Sequence, residues 1–134
     1  MKWNPKIYES DRYLVLDFEC VAADGLYGSA VSPVNSLALA CWKVGPNGQI
    51  NKHWGDEFSQ SRLLDDIAAC DYLVAHNSKY ELGWLRRCGL DLADVTVFDT
   101  KLAEYVLLGN RAASDRDTGE PGISTSLDMV ARRR

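Results

Sequence analysis

The sequence predicts an α/β fold, a mixed sheet of about five strands flanked by helices. Three observations carry that expectation. Strand-like apolar ribbons fill the first part of the chain, the hydrophobic period then lengthens to helical spacing, and from Tyr72 onward short buried strands alternate with helices. Such an order suits an antiparallel meander joined to parallel crossovers. At 134 residues the chain has the length of one domain, enough to bury roughly two thirds of the surface that its unfolded form exposes.

The first strand is "YLVLDFECV", Tyr13 to Val21, followed by the Gly/Pro/Asn loop "ADGLYGSAVSPVN". "SLALACWKV" from Ser36 is a second strand, "GPNGQ" a tight turn, and "INKHWGDEF" a third strand. "SQSRLLDDIAAC" then sets Leu63, Leu64, Ile67 and Ala68 on one helical face, with Ser59 or Ser61 as N-cap. "YLVAHN" is a short buried strand. "SKYELGWLRRCGL" continues as a helix with Leu82, Leu85 and Cys88 at helical spacing and Gly89 as its stop. "VTVF" is another strand and "DTKLAEYVLLGN" another helix, capped by Asp99 or Thr100 and stopped at Gly109. "RAASDRDTGEPGIST" reads as a polar loop. "SLDMVARRR" opens a last helix that ends on three arginines before closing against a core, so residues 1–134 are expected to form one domain cut short on its C-terminal side.

Hydrophobic residues make up 46% and charged residues 25%, with a formal charge of -4. This excludes a disordered chain and argues against a nucleic-acid binder held by charge alone. No apolar run reaches the ~18 residues of a membrane helix, and the first residues lack a secretory signal, so no membrane association and a cytoplasmic location are expected. Cys20, Cys41, Cys70 and Cys88 form no C-x-x-C pair and are expected to be buried free thiols.

The first strand raises a chemical question, because it carries two carboxylates. Residues two apart in a strand share a face, so Asp17 and Glu19 project together while Leu16 and Phe18 point the other way. Like charges at that spacing either sit in solvent, raise one pKa, or bind a hard cation such as Mg²⁺ or Mn²⁺. An isolated D-x-E is ordinarily a solvated strand end. Here Glu81 stands in the first turn of the helix after "YLVAHN", where the carboxyl ends of neighbouring strands meet, and would overhang the first pair.

Together "DFE", then "HNSKYE", then "FDTKLAEYVLLG" resemble the 3'-5' exonuclease (proofreading) domain of family A DNA polymerases, phage type, a branch of the DEDD superfamily with a ribonuclease H-like fold. The likeness runs from about Tyr13 to Arg134. It implies a metal-dependent nuclease that hydrolyses phosphodiesters at single-stranded DNA 3' ends, with two Mg²⁺ or Mn²⁺ ions. By matching position Asp17, Glu19 and Glu81 would be the catalytic metal ligands, and Asn77 and Tyr80 would position substrate. Two ions about 4 Å apart can stabilise both the attacking and the leaving oxygen. Partners implied are a single-stranded 3' end and a polymerase domain, in the same longer chain or a partner subunit, in a phage-infected bacterial cell. Two departures stand out. Glu81 replaces the family's usual Asp, and the fourth carboxylate, preceded four residues earlier by Tyr or His, has no match here, since Asp128 falls in an earlier helix. Weak or no activity is therefore expected. A non-catalytic nuclease-like module that binds nucleic acid or a protein partner is the alternative. An oligoribonuclease-like enzyme shares the first motif but fits "FDTKLAEYVLLG" less well.

Other residues carry weaker signals. Leu26 and Tyr27 in the first loop are placed either to stack on a terminal base or to pack back on the core. Lys79, Arg86 and Arg87 either meet phosphates or are ordinary helix-surface charges, and Arg132 to Arg134 either suit the negative end of a helix ending there or form a phosphate-binding patch. His76 reads as a satisfied core histidine, His53 as exposed, and Glu104 and Tyr105 as core or surface residues without chemistry.

Overall fold

The computed structural model describes residues 5–57, 61–112 and 122–133. Five strands, β1 (Tyr13–Val21), β2 (Ser36–Val44), β3 (Ile50–Trp54), β4 (Tyr72–Ala75) and β5 (Val97–Asp99), form one sheet in the order β3-β2-β1-β4-β5. Four helices flank it, α1 (Leu63–Ala69), α2 (Lys79–Arg87), α3 (Thr100–Leu108) and α4 (Leu127–Arg133). The first three strands pair antiparallel, and β1, β4 and β5 run parallel. The sheet is thus mixed, as the change of hydrophobic period predicts, and its order is compatible with the ribonuclease H-like fold.

The alternation along β1 decides which face is inside. Leu14, Leu16 and Phe18 are buried with Ala40 and Trp42 of β2 and Leu73 of β4, under Leu63 and Ile67 of α1 and Trp84 and Leu85 of α2. Each Leu, Ile or Phe of this set is worth about 1.5–3 kcal/mol relative to exposure. The Trp42 indole donates to Asp66 at 2.8 Å, tying α1 to the sheet. Between Glu19 and Cys20 the β1–β2 register slips by one residue at Ala38, a bulge beside the carboxylates.

Several boundaries differ from the expectation. β3 stops at Trp54, because Gly55 turns with φ +89° and donates back to Ala38 at 2.9 Å. α1 begins at Leu63, whose N–H is accepted by the Ser61 hydroxyl at 3.2 Å; Ser59 lies outside the described residues. Ala68 is exposed, and Trp84 with Glu81, rather than Cys88, completes the inward face of α2. All four cysteines are free but half-buried rather than buried, and His53 is half-buried rather than exposed. Residues 113–121 of the expected polar loop lie outside the described residues. Among the described residues no helix is long and apolar enough to cross a membrane.

Candidate active site

Parallel strands bring their carboxyl ends to one edge, and the polar residues of interest gather there. β1 delivers Asp17, the turn after β4 delivers His76 and Asn77, and β5 ends on Asp99. The turn is tight because Asn77 adopts φ +72°, a left-handed conformation that Asn tolerates better than branched residues.

Asp99 binds this corner together. Its carboxylate accepts from the Asn77 and Ser78 backbone N–H groups at 3.1 and 2.8 Å, from the Ser78 hydroxyl at 2.9 Å, and from Lys101 and Leu102 N–H at 2.9 and 3.1 Å. It therefore caps α3, as expected, and also fixes the start of α2. Burial pushes its pKa up, but the hydrogen bonds from Leu102, Ser78 and Asn77 outweigh that and hold it below the ordinary value.

Glu81 is only 4% exposed, and one carboxyl oxygen, Oε2, has no hydrogen-bond partner. Burial, then the charges of Asp17 and Asp99, push its pKa up to about 7, against hydrogen bonds from its own and the Phe18 backbone. Asp17 is also raised, by burial, with His76 opposing the shift. Negative charge thus accumulates between Asp17, Glu81 and Asp99. His76 stands close enough to act on Asp17. The Nε2 of that ring faces the Thr125 carbonyl at 2.9 Å and so carries hydrogen; Nδ1 faces the Thr100 hydroxyl at 2.9 Å. The same hydroxyl lies 3.3 Å from the Ala75 carbonyl. Having one proton, it donates to one or the other, and donation to Ala75 requires hydrogen on both ring nitrogens. His76 is satisfied, as expected.

Glu19 projects on the same exposed face as Asp17, in agreement with the strand period. Its charge acts on Tyr80, whose hydroxyl is half-buried beside Cys20; burial first, then the Cys20 hydrogen bond, raise the Tyr80 pKa strongly. Among the described residues no group of three or more His, Cys, Asp or Glu is placed to hold a metal ion. The donor chemistry nevertheless suits a hard cation: Asp17 and Glu81 offer oxygens, one of them buried and orphaned. Mg²⁺ is commonly held by one or two carboxylates, with water and substrate phosphate completing its shell.

A cleft of about 650 Å³ runs beside this edge, lined by Tyr27, Ala30 and Val31 on one wall and Lys79, Tyr80 and Arg86 on the other. A second, of about 330 Å³, shares Asn77 and Lys79 with it and reaches Tyr105. Asp17 and Glu81 line neither. Leu26 and Tyr27 are 72% and 93% exposed, so they do not pack back on the core. Lys79 and Arg86 are exposed and have no ion-pair partner among the described residues. Arg87 has a different task. Its guanidinium donates to the carbonyls of Ala30, Ser32 and Asn35 at 3.5, 3.1 and 2.9 Å and lies 5.0 Å from the Trp84 ring. It is a strut for the loop rather than an open phosphate ligand. Asn35, 1% exposed and bonded to Asp24 and the Ser29 carbonyl, completes that loop. Sequence reasoning weighed Arg87 only as a phosphate ligand or surface charge and did not single out Asn35, since most of their partners are backbone groups without any pattern.

Glu104 is buried and pairs with Arg133 at 3.0 Å, so Arg133 docks α4 on α3 and is not an open cationic patch. Tyr105 is half exposed.

Fold and site together define an α/β protein with an acidic cluster at the carboxyl edge of a mixed five-stranded sheet. No family model and no curated protein matches the chain.

Proposed function

We propose that the chain is a 3'-5' exonuclease domain that hydrolyses phosphodiesters at single-stranded DNA 3' ends, the proofreading part of a phage-type DNA polymerase, with weak activity on its own. One observation carries the reading: buried Glu81, with an orphaned oxygen, shares its field with Asp17 at the carboxyl ends of parallel strands, beside a cleft that has aromatic and cationic walls. Asp17, Glu19 and Glu81 would hold Mg²⁺ or Mn²⁺. When bound, the ions supply Lewis acidity to the scissile phosphate and the attacking water. The chain's own residues do the rest. Lys79 and Arg86 attract the strand's phosphates, Tyr27 and Leu26 offer faces on which a terminal base stacks, and Asn77 and Tyr80 bound the cleft floor. A polymerase domain, in the same longer chain or as a partner subunit, would deliver the 3' end.

The absence of a three-residue metal cluster among the described residues favours a second reading, a nuclease-like module that binds nucleic acid or a protein without cleaving it. Calorimetric titration with Mn²⁺, paired with an assay on labelled single-stranded DNA and RNA, separates the two. Saturable heat that disappears in Asp17→Ala, with metal-dependent shortening of DNA from its 3' end, supports the exonuclease. Strand binding without heat or cleavage leaves the module. Preferential cleavage of RNA would redirect the substrate assignment.

A further inference from the structure

Among the described residues, one half of the sheet is covered on a single side. Register places Val15, Lys43 and Ile50 in one row across β1, β2 and β3, then Asp17, Cys41 and Lys52, then Glu19, Leu39 and Trp54. Paired residues point to the same face, and none of these nine is buried. Ile50 and Trp54 are 68% and 72% exposed, whereas Leu14, Leu16, Phe18, Ala40 and Trp42 on the opposite face form the core. Asp17, Glu19, Lys43 and Lys52 belong to no ion pair among the described residues. Asp17 and Lys52 sit two strands apart, about 10 Å, and are not paired with each other.

We infer that this face pairs with the same face of a second copy. Acids lie on β1 and a lysine on β3, with Leu39, Cys41 and Lys43 between them on β2, and only one two-fold axis brings the acids of one copy to the β3 lysine of the other. An axis along β2 lays β1 of one copy over β3 of the other. Asp17 then meets Lys52 of the second copy and the reverse, giving two ion pairs; Val15 meets Ile50, and Leu39 meets Leu39. The same axis sets Glu19 opposite Trp54 and Lys43 opposite its own copy; Lys43, one residue from the end of β2, extends its ammonium to solvent. The two-fold axis across the strands instead opposes Asp17 with Asp17 and Lys52 with Lys52, so charge selects the first. Sheets packed this way lie about 10 Å apart with strands near -30°. A patch three strands wide and five residues long spans about 14 by 17 Å, small beside the roughly 800 Å² per partner of a standard interface. Pairing is therefore weak and rises with concentration. In the pair Asp17 is covered, so self-association and access of any ligand to Asp17 exclude one another.

Sedimentation equilibrium from micromolar to near-millimolar concentration tests this, with Lys52→Asp and the double variant Asp17→Lys, Lys52→Asp beside the wild type. Both sites are exposed, and circular dichroism checks that each variant folds. The wild type's average mass should climb toward twice that of the monomer. Lys52→Asp, which sets acid against acid, should weaken pairing at least about tenfold, and the double variant should restore it. A wild type that stays monomeric throughout overturns the inference and leaves the face to a different polypeptide. A dimer indifferent to Lys52→Asp, or one not rescued by the double variant, overturns it equally.

Discussion

Ser78 donates twice to Asp99, by its backbone N–H at 2.8 Å and its hydroxyl at 2.9 Å to one and the same oxygen. Two turns of chain 21 residues apart are thereby held at one corner. With the α3 cap added, Asp99 is the residue on which the geometry of the site edge depends. Asp99→Ala should lower stability by about 3 kcal/mol, since a cap and several charge-assisted bonds are lost together, and Asp99→Asn by less. Urea denaturation measures both. Because its pKa is depressed in the fold, the contribution of Asp99 is present above the ordinary carboxylate pKa of 3.8 and is lost as pH falls through the lower folded value.

Glu81 works in the opposite sense. Its folded pKa of about 7 lies above the ordinary 4.5, so between those values the folded state binds more protons than the unfolded, and stability falls as pH rises. Glu81→Gln removes that dependence while keeping an acceptor for the Phe18 N–H. The variant should melt higher than wild type at pH 8, and the gap should shrink toward pH 5, as read by thermal melts across that range. An equal gap at both ends would show that Glu81 keeps its ordinary pKa in the fold and is ionised there across the whole range.

Arg87 and Arg86 are sequence neighbours with separate duties, and their variants should separate accordingly. Arg87→Ala frees the Ala30, Ser32 and Asn35 carbonyls, so it should cost about 1–2 kcal/mol of stability and loosen the wall that carries Tyr27. Arg86→Ala should leave the melting temperature unchanged and weaken single-stranded DNA binding with a shallower salt dependence. Melting curves beside fluorescence-anisotropy titrations at two salt concentrations check both.

Gly28 marks the tightest approach in the first loop. A Cβ there would collide with Cys20 Sγ, at a φ of +65° that L residues rarely adopt. Gly28→Ala should destabilise by more than about 1 kcal/mol. Adding Cys20→Ala should recover only the steric part, leaving the backbone strain, which a double-mutant cycle resolves.

Periodicity made much of the fold legible, because strand and helix spacing are local properties that the hydrophobic pattern writes directly. The five strands, the four helices, a cap at Asp99 or Thr100 and the stops at Gly89 and Gly109 are all visible in residue order; the structure places the cap on Asp99. So is the shared face of Asp17 and Glu19, since the side-chain period of a strand is two.

What residue order could not disclose depends on which distant backbone lies nearby. Arg87 reads as a phosphate ligand until the loop carbonyls are seen to occupy it, and Arg133 as a surface charge until buried Glu104 faces it. Nor does spacing reveal that Glu81 is buried with one oxygen orphaned, or that among the described residues one face of β1, β2 and β3 has no buried residue in its three rows. The sequence by itself determined the elements and the residues able to do chemistry, because those follow from local period and side-chain type. Only the tertiary structure decided their partners, exposure and charge state, because desolvation and hydrogen bonding are set by groups far away along the chain.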